Sequence, residues 1–193
     1  MMSASIVAAI VVINVCLFYY LATEIVLSIR TKRGTDNEID RGTQQLVWIL
    51  IASCFIIAWI PVILDFGRLL ILGEWLTWVG VAVMICGIIF RQYVIAILGK
   101  FFTAQVQIQA NHELIKAGPY RYIRHPSYLG ILILALGLGI ALANWISLLL
   151  CIVLPLIGIM RRIKVEEKEL EKYFGKQYQD YRRSTRAFIP YIY

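Results

Sequence analysis

The side chains able to do polar chemistry in this chain gather in two stretches. The first, residues 111–128 (NHELIKAGPYRYIRHPSY), contains both histidines, His112 and His125. Gly118-Pro119 reads as a turn. Pro126 suits the first turn of a following helix, where its missing N–H does no harm. His125 and Ser127 then sit at a helix N-terminus, whose N–H groups and positive dipole end receive carboxylate or phosphate. The same Arg124-His125 pair would equally anchor a helix at lipid headgroups. The second stretch, residues 161–170 (RRIKVEEKEL), sets Arg162 and Glu166 four apart on one helix face, with Glu167 beside Lys164 and Glu171. Read alone, it also fits a solvated, salt-bridged helix.

The elements that must position these groups are apolar. Of 193 residues, 60% are hydrophobic and 16% charged, and mean hydropathy is +0.74. Soluble domains run at about 45–50% apolar and about 25% charged. The excess is gathered in runs of roughly 20 residues, the length that crosses a hydrocarbon core. A soluble enzyme, a secreted disulfide scaffold and a disordered chain are excluded. The net charge of +7 flanks the apolar runs rather than forming a recognition surface, so no nucleic-acid partner is expected. Cys16, Cys54, Cys86 and Cys151 stand singly within apolar runs, which indicates neither a metal site nor a disulfide framework. The N-terminal run lacks a basic leader and reads as a retained span.

Spans are expected at 6–29, 46–64 (with Pro61 near its exit) and 75–98, the third interrupted by Arg91 and Gln92. The run 128–160 is too long for one crossing, and Asn144-Trp145 at its middle predicts a tight helical hairpin. Its second arm continues past the bilayer into 161–174, and Phe174-Gly175 ends it. One long tilted span is the alternative. The expected fold is thus an all-α integral membrane protein with five transmembrane helices. Residues 1–98 supply three N-terminal helices, and 99–193 form the region carrying the chemistry, on one face.

Seventeen of the nineteen Lys and Arg fall on that face. The positive-inside rule makes it cytosolic, with the N-terminus outside. Arg68 lies opposite. Arg91, an intramembrane charge, is expected to pair with Glu24, to border a cavity, or to snorkel. Gly137 and Gly139 read as close-packing positions rather than a nucleotide loop. Tyr178, Tyr181, Phe188, Tyr191 and Tyr193 read as interfacial aromatics.

Four spaced motifs carry a family resemblance: H-x-L-x-x-x-G-P-Y at 112–120, R-H-P-S-Y at 124–128, R-I-x-x-E-E-x-x-L at 162–170 and F-G-x-x-Y-x-x-Y at 174–181. Over 99–190 the chain resembles the isoprenylcysteine carboxyl methyltransferase family, in particular its short archaeal or prokaryotic members. The first three spans match in hydropathy alone. The resemblance implies a membrane enzyme, in a prokaryote one of the cell membrane. It would transfer methyl from S-adenosyl-L-methionine to the carboxylate of a lipid-like acceptor such as a C-terminal isoprenylcysteine, leaving S-adenosyl-L-homocysteine. It implies cofactor contacts from His112, Leu114, Ile115, Tyr120, His125, Pro126, Ser127, Tyr128 and Glu166, joined by Gln105. Arg162 would face the acceptor, and Glu167, completing the acidic pair, would share the catalytic role.

That chemistry suits the residues. A carboxylate is already ionised at neutral pH, so no general base is needed, and positioning supplies most of the rate. The expected partners are a lipophilic or prenylated acceptor and membrane lipid, with no obligate protein partner. The R-H-P-x-Y and E-E features are also similar to phospholipid N-methyltransferases, which keeps an amine acceptor as the alternative. A non-enzymatic membrane scaffold is the third reading.

Overall fold

Residues 3–31, 42–67, 69, 74–103 and 113–188 are described by the computed structural model. Helix α1 (Ala4–Thr31) runs unbroken because its apolar stretch contains neither Gly nor Pro. The second expected span is divided into α2 (Thr43–Ile57) and α3 (Ile60–Ile63). Pro61 has no N–H for the Ile57 carbonyl, so the helix breaks at Ala58-Trp59. The Ala58 carbonyl at the break accepts a hydrogen bond from Ser147 Oγ at 2.6 Å. Helix α4 (Trp75–Leu98) has the limits read from the sequence.

The hairpin also forms, as α5 (Pro126–Ala141) and α6 (Trp145–Phe174). Asn144 caps α6 by accepting from the Ile146 and Ser147 amides at 3.0 and 3.1 Å, and donates to the Phe66 carbonyl at 2.6 Å. One asparagine therefore turns the chain and ties the α3–α4 connection to it. Helix α6 passes through Pro155 without ending. Gly175, at φ +54°, separates it from α7 (Lys176–Ser184).

Four segments are long and apolar enough to cross a bilayer: Ala4–Arg30, Thr43–Ile63, Trp75–Phe101 and Trp145–Phe174. Helix α5 is equally apolar but has 16 residues, about 24 Å against a core of about 30 Å. Four of the five expected crossings thus have full spanning length, and α5 is a shorter apolar helix in the place of the other.

Helices α4 and α5 share the most extensive helix contact. Gly80 and Gly87 on α4 meet Gly130 and Gly137 on α5, each pair seven residues apart and so on one face. A Cβ on Gly87 would stand 2.5 Å from the Leu134 amide nitrogen, and one on Gly130 would stand 2.8 Å from Arg91 Cβ. The close approach carries Arg91 against the first turns of α5. Helix α2 packs on α6, α6 on α5 and α1 on α4, around a core that includes Tyr20, Met84, Leu134 and Ile159.

Candidate active site

The site is built on the loop that enters α5. A 3-10 turn (Gly118–Arg121) buries Tyr120, whose hydroxyl donates to the Val94 carbonyl at 3.3 Å. The next residues pair with the C-terminal end of the described chain through one parallel bridge, Ile123 to Arg186. The Arg124 amide donates to the Arg186 carbonyl at 2.7 Å, and the His125 amide to the Ala187 carbonyl at 2.8 Å. Tyr181 donates to the Tyr120 carbonyl at 2.6 Å. The tail thus fixes the loop that carries the histidine.

Two clusters follow from that placement. In the first, Arg124 Nε donates to Glu167 Oε1 at 2.8 Å, and its Nη1 donates to the Thr185 carbonyl at 2.6 Å. His125 Nε2 lies 3.3 Å from the same Glu167 oxygen, and Arg182 Nε approaches the other at 3.8 Å. In the second, the Tyr128 hydroxyl donates to Glu166 Oε2 at 2.8 Å and accepts from Arg162 Nε at 3.1 Å. Arg162 Nη1 also donates to Thr43 Oγ1 at 3.3 Å. His125 Nδ1 stands 3.7 Å from Glu166 Oε2. Arg162 and His125 are each 4% exposed, so their charge and polarity act inside the protein.

A cavity enclosing about 1330 Å³ of empty space, including its open part, joins these groups to the helices. Leu114, Ile115, Tyr120, His125, Ser127, Tyr128, Arg162 and Glu166 all line it. Tyr20, Leu21, Val47, Trp48 and Ile51 from α1 and α2 also line it, together with Gln44 of α2. Pro126 is buried at the first turn of α5 behind the lining. Glu167 is not among the lining residues; it lies behind His125. The expectation that Glu167 sits with Lys164 and Glu171 is corrected: Arg124 and His125 take its carboxylate, because tertiary packing brings two strong partners to it. Gln105 and His112 lie outside the described residues.

Glu24 and Arg91 also line the cavity, and they pair: Arg91 Nε donates to Glu24 Oε1 at 2.7 Å and Nη2 reaches it at 2.5 Å. Arg91 Nη1 donates to the Ser127 carbonyl at 3.0 Å. Pairing and cavity lining both hold, and Arg91 is 4% exposed rather than snorkelling.

The aromatic tail is a further correction. Tyr178, Tyr181 and Phe188 are 1%, 4% and 2% exposed, and both tyrosines line the cavity. Burial pushes the phenols of Tyr120, Tyr178 and Tyr181 well above their ordinary range, so they remain neutral donors. Tyr191 and Tyr193 lie outside the described residues. Sequence reasoning also missed Thr43 and Trp48, for which no motif gave a signal. Arg124 was visible within R-H-P-S-Y but not as the partner of Glu167.

An all-helical chain with several bilayer-length helices and a charged cavity among them is a multi-pass membrane protein. Residues 78–172 match the model of the isoprenylcysteine carboxyl methyltransferase family. The chain is 30% identical over 184 residues to protein-S-isoprenylcysteine O-methyltransferase A of Arabidopsis thaliana, a match covering 91% of this chain and 90% of that one. It is 33% identical over 120 residues to the B form from the same plant, covering 61% of each chain. The solved structure of a eukaryotic intramembrane Ras methyltransferase, isoprenylcysteine carboxyl methyltransferase, is similar with a TM-score of 0.65 and 28% identity, covering 73% of this chain and 52% of that one. The chain belongs to the isoprenylcysteine carboxyl methyltransferase family. It spans about three fifths of the Arabidopsis B form and half of the solved structure's chain. These relatives are eukaryotic and do not bear out an archaeal or prokaryotic subgroup.

Proposed function

We propose that this protein methylates the carboxylate of a lipid-bearing acceptor such as a C-terminal isoprenylcysteine, with S-adenosyl-L-methionine as donor. The observation that carries the reading is the placement of Arg162 and Glu166, one turn apart on α6, in one cavity that α1 and α2 line mostly with apolar side chains. The polar wall fits the donor. Glu166 has a partly exposed carboxylate able to accept from hydroxyl or ammonium groups, His125 and Ser127 stand at the entry to α5, and Tyr120, Leu114 and Ile115 offer aromatic and apolar surface. Gln105 and His112 join this set on the family resemblance.

When bound, the donor supplies a sulfonium-activated methyl group. The chain's own residues position and desolvate. The Arg162 guanidinium presents a charged fork to the acceptor carboxylate, and Tyr128 and Thr43 hold that fork in place. Glu167, occupied by Arg124 and His125, acts as a positioning residue that orients the imidazole. An arginine at this place disfavours a cationic or amine acceptor, which argues for carboxyl rather than phospholipid nitrogen transfer. The side chains from α1 and α2 form a wall suited to a prenyl chain, so the acceptor enters from the bilayer and the donor from the basic, cytosolic side. This reading includes α5 as a fifth, short crossing with the N-terminus outside.

Two measurements test it. Calorimetry with S-adenosylhomocysteine should show binding, and methyl transfer should occur to a prenylated cysteine with a free carboxylate but not to its amide. Transfer to phosphatidylethanolamine in place of the carboxylate would overturn the reading. For the topology, single cysteines at positions 35 and 73, in a background lacking the native four, should react from opposite sides of sealed vesicles.

A further inference from the structure

Tyr178 is the largest fully buried side chain among the described residues, 1% exposed, yet its hydroxyl has no hydrogen-bond partner. It is the sole buried side-chain polar atom in that condition among the described residues. Its neighbours make the omission informative. Tyr181, one turn on, spends its hydroxyl on the Tyr120 carbonyl at 2.6 Å, and Tyr120 and Tyr128 spend theirs on Val94 and Glu166. An orphaned buried hydroxyl is costly, and proteins retain few.

The Tyr178 ring is part of the cavity wall, and Glu167, Arg124 and Glu166 lie near enough for their charges to act on its phenol. The ring stacks edge-on against Tyr181 at 6.2 Å between centroids, which holds it there. Burial keeps its phenol neutral, so it offers a proton as well as lone pairs.

We infer that Tyr178 is a binding residue for the polar part of the methyl donor, its hydroxyl gaining in the complex the hydrogen bond it lacks in the free protein. The inference rests on the donor-binding reading of the cavity. The hydroxyl is covered in the free protein, so binding the donor requires the ring to tilt and turn it toward the cavity. The acceptor's prenyl chain has no group that would satisfy it, and the position beside Glu166 places it at the donor's end.

The energetic consequence has a distinctive sign. Tyr178→Phe removes no bond from the free protein, so its thermal midpoint should stay the same or rise. The bond exists in the complex alone, so affinity for S-adenosylhomocysteine should fall about two- to tenfold, and KM for the donor should rise in proportion while KM for the prenylated acceptor holds. Tyr181→Phe serves as the comparison, because it deletes an existing bond and should lower the midpoint. Unchanged affinity in Tyr178→Phe would overturn the inference. So would a lowered midpoint, which would mean that the hydroxyl already has a structural partner such as water. Absence of S-adenosylhomocysteine binding by the unmodified protein would remove the donor-binding reading itself, and Tyr178 with it.

Discussion

Glu24→Gln should destabilise the protein far more than the loss of a surface ion pair would. Glu24 and Arg91 are 8% and 4% exposed, and two guanidinium nitrogens reach one carboxylate oxygen at 2.7 and 2.5 Å. The amide in Gln keeps the shape and removes the charge. Arg91 then has no escape. A guanidinium stays protonated at any accessible pH. Its third contact, to the Ser127 carbonyl at 3.0 Å, holds it inward, and the backbone of α5 at Gly130 closes on its Cβ. Removing one partner of a buried pair costs about 3–5 kcal/mol because the other charge is left uncompensated. At about 2–4 °C per kcal/mol for a chain of this size, the midpoint should fall by about 6–20 °C. The double variant Glu24→Gln, Arg91→Met replaces the pair with groups of similar volume and should recover most of the loss. The assay is thermal unfolding of all four members of the cycle in nanodiscs. Near-additive single losses below about 1 kcal/mol would refute the reasoning, since they would mean that water already solvates both charges.

Three further outcomes follow from the same geometry. Arg162→Ala should abolish turnover on carboxylate acceptors while leaving S-adenosylhomocysteine affinity within about twofold, and Arg162→Lys should rescue little because an ammonium lacks the planar fork; equal loss of cofactor affinity would assign the residue to the donor instead. Glu166→Ala should weaken S-adenosylhomocysteine binding by about 1.5–3 kcal/mol, the worth of a charged hydrogen bond, read by calorimetry. Gly87→Ala should lower the thermal midpoint even though Ala favours helices by about 1 kcal/mol, because overpacking against the α5 backbone typically costs about 1–3 kcal/mol; a raised midpoint would mean that α4 and α5 are further apart.

What the sequence disclosed divides along a physical line. Hydropathy alone placed α4 at its observed limits, because an apolar run flanked by polar residues has one length at which it can be buried. Glu24 with Arg91 was foreseeable for a similar reason: a charge in an apolar run must find a partner or water. Arg162 and Glu166 were legible from helical spacing. Glu167 was not, since its partners Arg124 and His125 lie 43 and 42 residues away in sequence. No local period reports such a distance. Tyr178 and Tyr181 were misread because tyrosine's apolar ring and polar tip suit an interface and a cavity wall equally well. Pro61 was seen, but whether a proline ends a helix depends on what replaces the lost bond. At the α2–α3 break Ser147 Oγ donates to the neighbouring Ala58 carbonyl, while α6 continues through Pro155.

The proposed division of labour has a counterpart in the register of α6. Its apolar run ends at Met160, two residues before Arg162 and six before Glu166. At 1.5 Å per residue that places the arginine about 3 Å and the glutamate about 9 Å beyond the last apolar position. Under the proposed function the cation, nearer the apolar run, meets the carboxylate of a membrane-held lipid, and the anion, one turn further along, meets a water-soluble donor. Exchanging the two would oblige the donor to cross the acceptor's site. Tyr128 lies between them and bonds to both. A single hydroxyl thus bridges the two side chains and fixes their relative placement.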